Sequence, residues 1–427
     1  MKNIIIMPTV LLASILLFAC QDERGNMLVD HDNIAPQPPT DISYMPLYGG
    51  ARFYYTLPSD EDLLNIEATF TNKEGQAFSS VASYFVDSID VLGFADTINY
   101  DVELYAVDRS GNKSKPVTIS VKPKESTINR VIRTLALRPA FGSFFVEWEN
   151  ELEQNINVYV DFSFTKNGEK KQITRIFSSN MKNDRRFIND LDSVAENNTY
   201  DIQVYISDSY GNESNVLNMG AITLLDDSEI DKSDWVLPMT NDSIGGVPQA
   251  FGDHMEGRLS KVVDGIVDEG QNLNFMHTGN NGRTGIKEDG NMPWNIIIDL
   301  GDYYELSRIL THQRHYSDEN CGDICPGKYY DPSNVGYYEM YIFDEDIQQW
   351  ELVSEHKIPE PTNLNEIEIA KKGRRGDMTY MLPDNPQFTK PTRWFRYKAI
   401  AAFGNNYTSN SALYLSEISL YGRKANK

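Results

Sequence analysis

Short runs in the first half of the chain alternate apolar with polar residues, and one of these runs occurs twice. Asn99-Tyr100-Asp101-Val102-Glu103-Leu104-Tyr105-Ala106-Val107-Asp108 continues into Arg109-Ser110-Gly111-Asn112-Lys113-Ser114. Thr199-Tyr200-Asp201-Ile202-Gln203-Val204-Tyr205-Ile206-Ser207-Asp208 continues into Ser209-Tyr210-Gly211-Asn212-Glu213-Ser214 at a constant offset. Period-two alternation predicts a strand with one face in a core. The Asp-x-x-Gly-Asn ending predicts a turn, with Gly supplying positive φ and Asn tolerating it. Recurrence at one offset marks a duplicated unit. Residues 50–55 and 142–148 are strand-like runs that open the two copies after a turn. The second half reads differently. Residues 295–300 are apolar and β-branched, as in a strand buried on both faces, and residues 337–343 pass through an acidic turn to Trp350-Glu351-Leu352-Val353, a hairpin pattern.

Breakers divide these patterns. Pro36-Gln37-Pro38-Pro39 opens the first unit, Lys122-Pro123-Lys124-Glu125 separates the copies, and residues 226–235 separate the second copy from the rest. The expected division is 1–19 leader, 20–35 tether, 36–124 first unit, 125–226 second unit and 235–427 terminal domain. A length of 427 residues gives material for about three domains. The expected fold class is all-β, and the sandwich architecture of the three domains comes from family resemblances.

Charge narrows the partners. At a net charge of −23 the chain cannot hold nucleic acid by neutralising phosphates, nor lie on an anionic membrane through its own surface. The 24 Tyr, 19 Phe and 5 Trp suit β-sandwiches and also suit stacking on sugar rings.

The N-terminal residues carry one base, Lys2, and an apolar stretch from Ile4 interrupted by Pro8. This stretch is shorter than the roughly 20 residues a bilayer requires. With Leu17-Phe18-Ala19-Cys20 it resembles a bacterial lipoprotein signal, which makes Cys20 the acylated first residue and the mature chain lipid-anchored; a transmembrane helix and a simply cleaved secretory peptide are the alternatives. Gln21-Asp22-Glu23 is similar to the export signals of Bacteroidota surface lipoproteins, although short acidic runs near a terminus are often solvated tails. Both resemblances imply a surface-exposed outer-membrane location. Cys321 and Cys325 remain as an even pair, and a disulfide is the expectation in an oxidising compartment. A zinc site with His312 and His315 is the alternative, but the spacing fits no usual ligand framework.

The two copies resemble fibronectin type III sandwiches, which gives Tyr100 and Tyr200 the structural role of a tyrosine corner. The terminal domain has Val262-Val263-Asp264-Gly265, Met292-Pro293-Trp294-Asn295-Ile296-Ile297-Ile298-Asp299-Leu300-Gly301, Trp394-Phe395-Arg396-Tyr397 and Ser416-Glu417-Ile418-Ser419-Leu420-Tyr421-Gly422 in that order. It resembles the discoidin family, also called coagulation-factor type C or galactose-binding-like domains, which implies a jelly-roll β-sandwich used for recognition. In that resemblance Trp294, Trp350 and Trp394 take core or core-edge positions. It further implies a structural calcium ion beside the Asp-Gly turn, held by Asp264, Asp268 or Glu269, and Glu417. Ile266 departs from the family's usual Asn or Asp, and Asp264 can instead simply cap its turn.

The resemblance implies ligand contact from loops at one end of the sandwich. These offer His277, Asn280 and Arg283; His312, Arg314, His315 and Tyr316; and Asn405 and Tyr407. Arg, His and Asn give hydrogen-bond donors to hydroxyls and the aromatic rings give a face to a sugar, although such composition is also ordinary for loops. The sequence has no His-Glu-x-x-His, Gly-x-Ser-x-Gly or phosphate-loop motif, and residues 371–375 read as a solvated basic loop. The whole arrangement resembles three-domain Bacteroidota lipoproteins associated with polysaccharide utilisation. The expected function is non-catalytic capture of an oligo- or polysaccharide for an outer-membrane importer complex; the alternative is a protein-binding assembly or adhesion lipoprotein.

Overall fold

The computed structural model describes residues 33–72, 75–192, 194–239, 242–249, 257–268, 273–277, 294–315, 329–403 and 413–426. Three separate clusters of buried apolar side chains divide it into three sandwiches. The fold is all-β, as expected.

The first unit comprises β1 (Thr40–Leu47), β2 (Gly50–Thr56), β3 (Leu63–Thr71), β4 (Ala77–Ser83), β5 (Ser88–Leu92), β6 (Tyr100–Asp108) and β7 (Val117–Val121). The second comprises β8 (Ala136–Ala140), β9 (Ser143–Glu149), β10 (Ile156–Lys166), β11 (Glu169–Ser179), β12 (Asn183–Ile188), β13 (Thr199–Asp208) and β14 (Leu217–Thr223). Sheet orders β1-β2-β5 and β4-β3-β6-β7 in the first unit match β8-β9-β12 and β11-β10-β13-β14 in the second, so the duplication extends to the topology. Val102, Leu104 and Ala106 on β6 and Ile202, Val204 and Ile206 on β13 are fully buried. Burial of each larger aliphatic side chain contributes about 1.5–3 kcal/mol.

The repeated turn is the same at atomic level. Asp108 Oδ1 accepts from Asn112 N (2.8 Å) and Oδ2 from Asn112 Nδ2 (2.9 Å); Asp208 makes the same bonds to Asn212 at 3.0 and 2.9 Å. Gly111 and Gly211 have positive φ, whereas the asparagines do not, so Asn serves here as a donor to Asp and not as a second left-handed residue. Ser114 and Ser214 close the turn, their hydroxyls accepting from Ala106 N (3.0 Å) and Ile206 N (2.9 Å).

The third sandwich is built around one long strand, β19. In chain order its strands are β15 (Ser228–Glu229), β16 (Ser243–Ile244), β17 (Val247–Pro248), β18 (Met276–His277), β19 (Trp294–His312), β20 (Val335–Asp344), β21 (Gln349–Lys357), β22 (Asp377–Tyr380), β23 (Thr392–Ala402), β24 (Tyr414–Leu415) and β25 (Glu417–Lys424). The first part of β19 pairs with β23 and its last part with β25 and β22. The shift between them lies at Gly301 (φ +79), where a Cβ would stand 2.7 Å from Asp234 O. This break re-aims the strand between its two sets of partners within one sheet. Ile296, Ile297, Ile298 and Leu300 are fully buried, as their β-branched run predicts.

Two expectations change. Residues 228–236 are an edge of the third sandwich and not a free linker: β15 pairs with β25, Ile230 N bonds Leu420 O (2.8 Å), Ile230 is core, and Val236 bridges Asp299. Residues 371–375 end the helix Glu366–Arg375, which starts with a capping box between Asn365 and Glu368 and ends with bases in its last turn. Trp350 and Trp394 are half-buried; the Trp294 side chain, Cys20, Cys321 and Cys325 lie outside the described residues.

Both joints between sandwiches are packed. At the first, Asn212 Nδ2 donates to Gly93 O (3.1 Å), the Tyr210 ring lies against Gly93, and Ser126 Oγ and Asn129 Nδ2 donate to Ala95 O at 2.8 and 3.0 Å. At the second, Arg308 reaches Asp227 (2.6 Å) and Asp192 (3.1 Å), while the Tyr380 hydroxyl meets Ser143 Oγ (2.6 Å). Phe141 packs edge-on against Phe388, and Arg185 Nη1 donates to Asp384 O (2.7 Å).

Candidate functional site

The loop end of the third sandwich gathers the expected residues into two adjoining clusters. In the first, the turn at Asp264 meets the start of β25. Gly265 N donates to Glu417 Oε1 (3.2 Å), and Asp268 N to Ser416 Oγ (2.7 Å), which in turn donates to Asn274 O (3.1 Å). The turn from Asp264 to Asp268, distant in sequence from β25, is thereby brought against Ser416 and Glu417 through the backbone N–H groups of Gly265 and Asp268. Asp264 Oδ1, however, accepts from Ile266 N and Asn274 Nδ2, both at 2.9 Å, so this carboxylate caps its own turn. Glu417, 1% exposed, receives the Lys232 ammonium on the same oxygen that Gly265 N reaches. Burial pushes its carboxyl up to about 7 against the opposing pull of Lys232.

Around Glu417 Oε1 the described residues leave little room for a calcium ion, and Glu417 Oε2 faces no hydrogen-bond partner among them. Calcium takes six to eight oxygens, yet the Glu417 oxygen facing the turn already holds an ammonium and an N–H, and a divalent cation there would meet Lys232 at contact distance. Among the described residues, no group of three or more His, Cys, Asp or Glu side chains could hold a metal ion. Glu269 lies outside the described residues.

The second cluster is aromatic and cationic. β18 pairs with β24, placing His277 opposite Tyr414. Their rings stack at 4.3 Å and 24°. The Arg314 guanidinium lies 3.7 Å from the Phe275 ring centroid and 4.6 Å from that of Tyr414, so it is held between two aromatic faces. Asn334, fully buried, donates to Arg314 O (2.9 Å) and Tyr329 O (3.1 Å), fixing the backbone that carries the arginine. His315 packs against Tyr329 at 4.6 Å.

Not every expected ligand faces outward. His312 is the last residue of β19, opposite Glu417, and is 8% exposed; burial and the nearby Lys232 lower its pKa, which favours the neutral ring. His315, 3% exposed, is likewise interior. His312 thus belongs to β19 and not to the loop, and His315 is a packed residue of the loop that follows. Arg314 and Tyr414 are half-buried, while His277, 8% exposed like His312, is packed against Tyr414. Asn280, Arg283, Tyr316, Asn405 and Tyr407 lie outside the described residues. Phe275, Tyr414, Tyr329, Asn334 and Lys232 were missed from sequence. No local pattern singled out the first four, and Lys232 sat in a segment read as a linker.

Three family models match in tandem, each described only as a domain of unknown function: DUF4959 over residues 36–123, DUF5126 over 124–233 and DUF5000 over 263–422. No curated protein matches the chain. Among solved structures, a SusE-like protein is similar over 69% of this chain and 98% of its own, at 16% identity and a TM-score of 0.35. The third carbohydrate-binding module of family 32 from a family 31 glycoside hydrolase of Clostridium perfringens is similar over 46% and 95%, at 19% identity and 0.29. A two-domain fibronectin type III segment of chicken tenascin is similar over 44% and 99%, at 15% identity and 0.21. At these scores the likeness carries no inference about function.

Proposed function

We propose that the chain is a non-catalytic, lipid-anchored surface protein that binds glycan at the loop end of its third sandwich and holds it for an outer-membrane importer. One observation carries the reading: Arg314 fixed between Phe275 and Tyr414, with His277 stacked on Tyr414, where β18 and β19 end and β24 begins. A guanidinium that cannot swing away offers hydrogen-bond donors in a set direction, and its preorganisation lowers the entropy cost of binding a hydroxyl pair. Tyr414, half-buried, can offer a sugar an aromatic contact, whereas Phe275, 1% exposed, serves to hold the arginine. The first two sandwiches act as a stalk, since their repeated Asp, Asn, Gly and Ser residues are engaged in turn and core bonds.

The test is a panel of plant and host polysaccharides presented to the purified chain and to Arg314→Ala. Charge-assisted hydrogen bonds contribute about 1.5–3 kcal/mol each, so the variant should lose on the order of 10- to 100-fold in affinity, with its melting temperature within a few degrees of the parent's. A blank panel with folded protein, together with co-purification of an importer, would replace this function with protein binding.

A further inference from the structure

We propose that the Lys232 ammonium does, in the third sandwich, the work for which a divalent cation would otherwise be needed: it fastens the Asp264 turn to β25, using the chain's own preceding segment. Four observations support this. The first is placement by strand pairing. Ser228 pairs with Gly422, Glu229 with Tyr421, and Ile230 N bonds Leu420 O, so the segment runs antiparallel to β25 and brings Lys232 beside Ser419 and Glu417. The second is engagement. Lys232 Nζ contacts Glu417 Oε1 and donates to Ser419 Oγ at 2.8 Å, with its side chain 13% exposed and that of Glu417 2%. An ammonium and a carboxylate this deeply desolvated are tolerated only as partners.

The third is convergence. Gly265 N donates to the same Glu417 oxygen, so the carboxylate links three stretches of chain: the turn, β25 and the segment before the sandwich. The fourth is that two of the neighbouring oxygens already face N–H donors, while the other Glu417 oxygen, Oε2, meets no hydrogen-bond partner among the described residues. Asp264 Oδ1 is taken by Ile266 N and Asn274 Nδ2, and Ser416 Oγ by Asp268 N. The Lys232 amine also lies 5.7 Å from the Trp235 ring centroid, which restricts where it can go. A covalently carried cation cannot be chelated away. The third sandwich is therefore calcium-independent and depends instead on the segment joining it to the second.

The experiment is a thermal melt of the purified chain with calcium and with EGTA, calorimetric titration with calcium chloride, and the same melt for Lys232→Met, which keeps the stem and drops the charge. The parent should give no heat of binding and melt within about 1 °C under both conditions, a shift well below the roughly 2–4 °C that 1 kcal/mol produces in a domain of this size. Lys232→Met should lower the third sandwich's transition by several degrees and speed amide exchange at Gly265. A one-to-one calcium isotherm with a stabilised melt of the parent would overturn the proposal, as would a Lys232→Met chain indistinguishable from the parent. If the variant fails to fold, the parent's calcium titration still decides the matter. Neither readout uses glycan, so a blank polysaccharide panel leaves this result unaffected.

Discussion

Tyr100 and Tyr200 occupy the same place in two copies of one unit, yet their hydroxyls end on different acceptors. Tyr200 OH donates to Leu191 O (3.2 Å) and accepts from Ala195 N (3.3 Å), both backbone groups in a buried corner. Tyr100 OH donates to the Asp96 carboxylate (3.0 Å) nearer solvent. Removing a buried partner costs about 1–3 kcal/mol, more than losing a bond that water can replace. Tyr200→Phe should therefore destabilise its unit measurably more than Tyr100→Phe does, in chemical denaturation of the two variants. Equal losses would mean that the corner bonds do not carry the difference. The tyrosine role was legible because both residues begin a repeated strand; the acceptors were not, because they lie in loops that the repeat does not share. Arg308 is a sharper case. It is 3% exposed, with Asp227 and Asp192 around its guanidinium, and nothing in its strand marks it as a joint residue. Arg308→Met leaves Asp227 buried without its cation, which costs about 3–5 kcal/mol, and the transition that couples the second and third sandwiches should split in calorimetry. A single unchanged transition would exclude a coupling role for Arg308.

At the scale of elements, the segment at 226–235 shows how a polar run misleads. Asp226-Asp227-Ser228-Glu229 reads as a linker by composition, but its backbone completes an edge of the third sandwich and its one buried aliphatic residue, Ile230, enters that core. A two-residue strand has too short a period to register as alternation. A chain beginning at residue 235 should therefore fold poorly or melt well below one beginning at residue 226, by circular dichroism of the two fragments; equal melts would return 226–235 to a linker. The helix Glu366–Arg375 was missed for a related reason. Its side chains are largely exposed, with Ala370 and Gly373 its buried residues, so it has no apolar stripe to announce it. The signal that was available is Asn365-x-x-Glu368, the capping box itself.

For the whole molecule, the duplicated sandwiches and the third jelly-roll-like sandwich were legible because alternation, Gly turns and buried β-branched runs all point the same way. The joints were not, although one trace was visible: Tyr210 stands where the first copy has Ser110, and it is Tyr210 that packs on Gly93 of the neighbouring unit. Tyr210→Ser should leave both cores intact and broaden the distribution of molecular dimensions in small-angle scattering; an unchanged profile would show that the other bonds suffice to hold the joint. The candidate site was half legible. Arg314 and His277 were named from residue type and loop position, while Phe275 and Tyr414, the rings around them, lie beside or in the β18–β24 pair, whose pairing no local pattern reveals. The most direct test of the account is the affinity of the purified chain for a polysaccharide retained from the panel, measured beside Arg314→Ala by calorimetry. The account predicts saturable binding by the parent and a loss on the order of 10- to 100-fold in the folded variant. Equal affinity in the two proteins would contradict the assignment of binding to the loop end of the third sandwich.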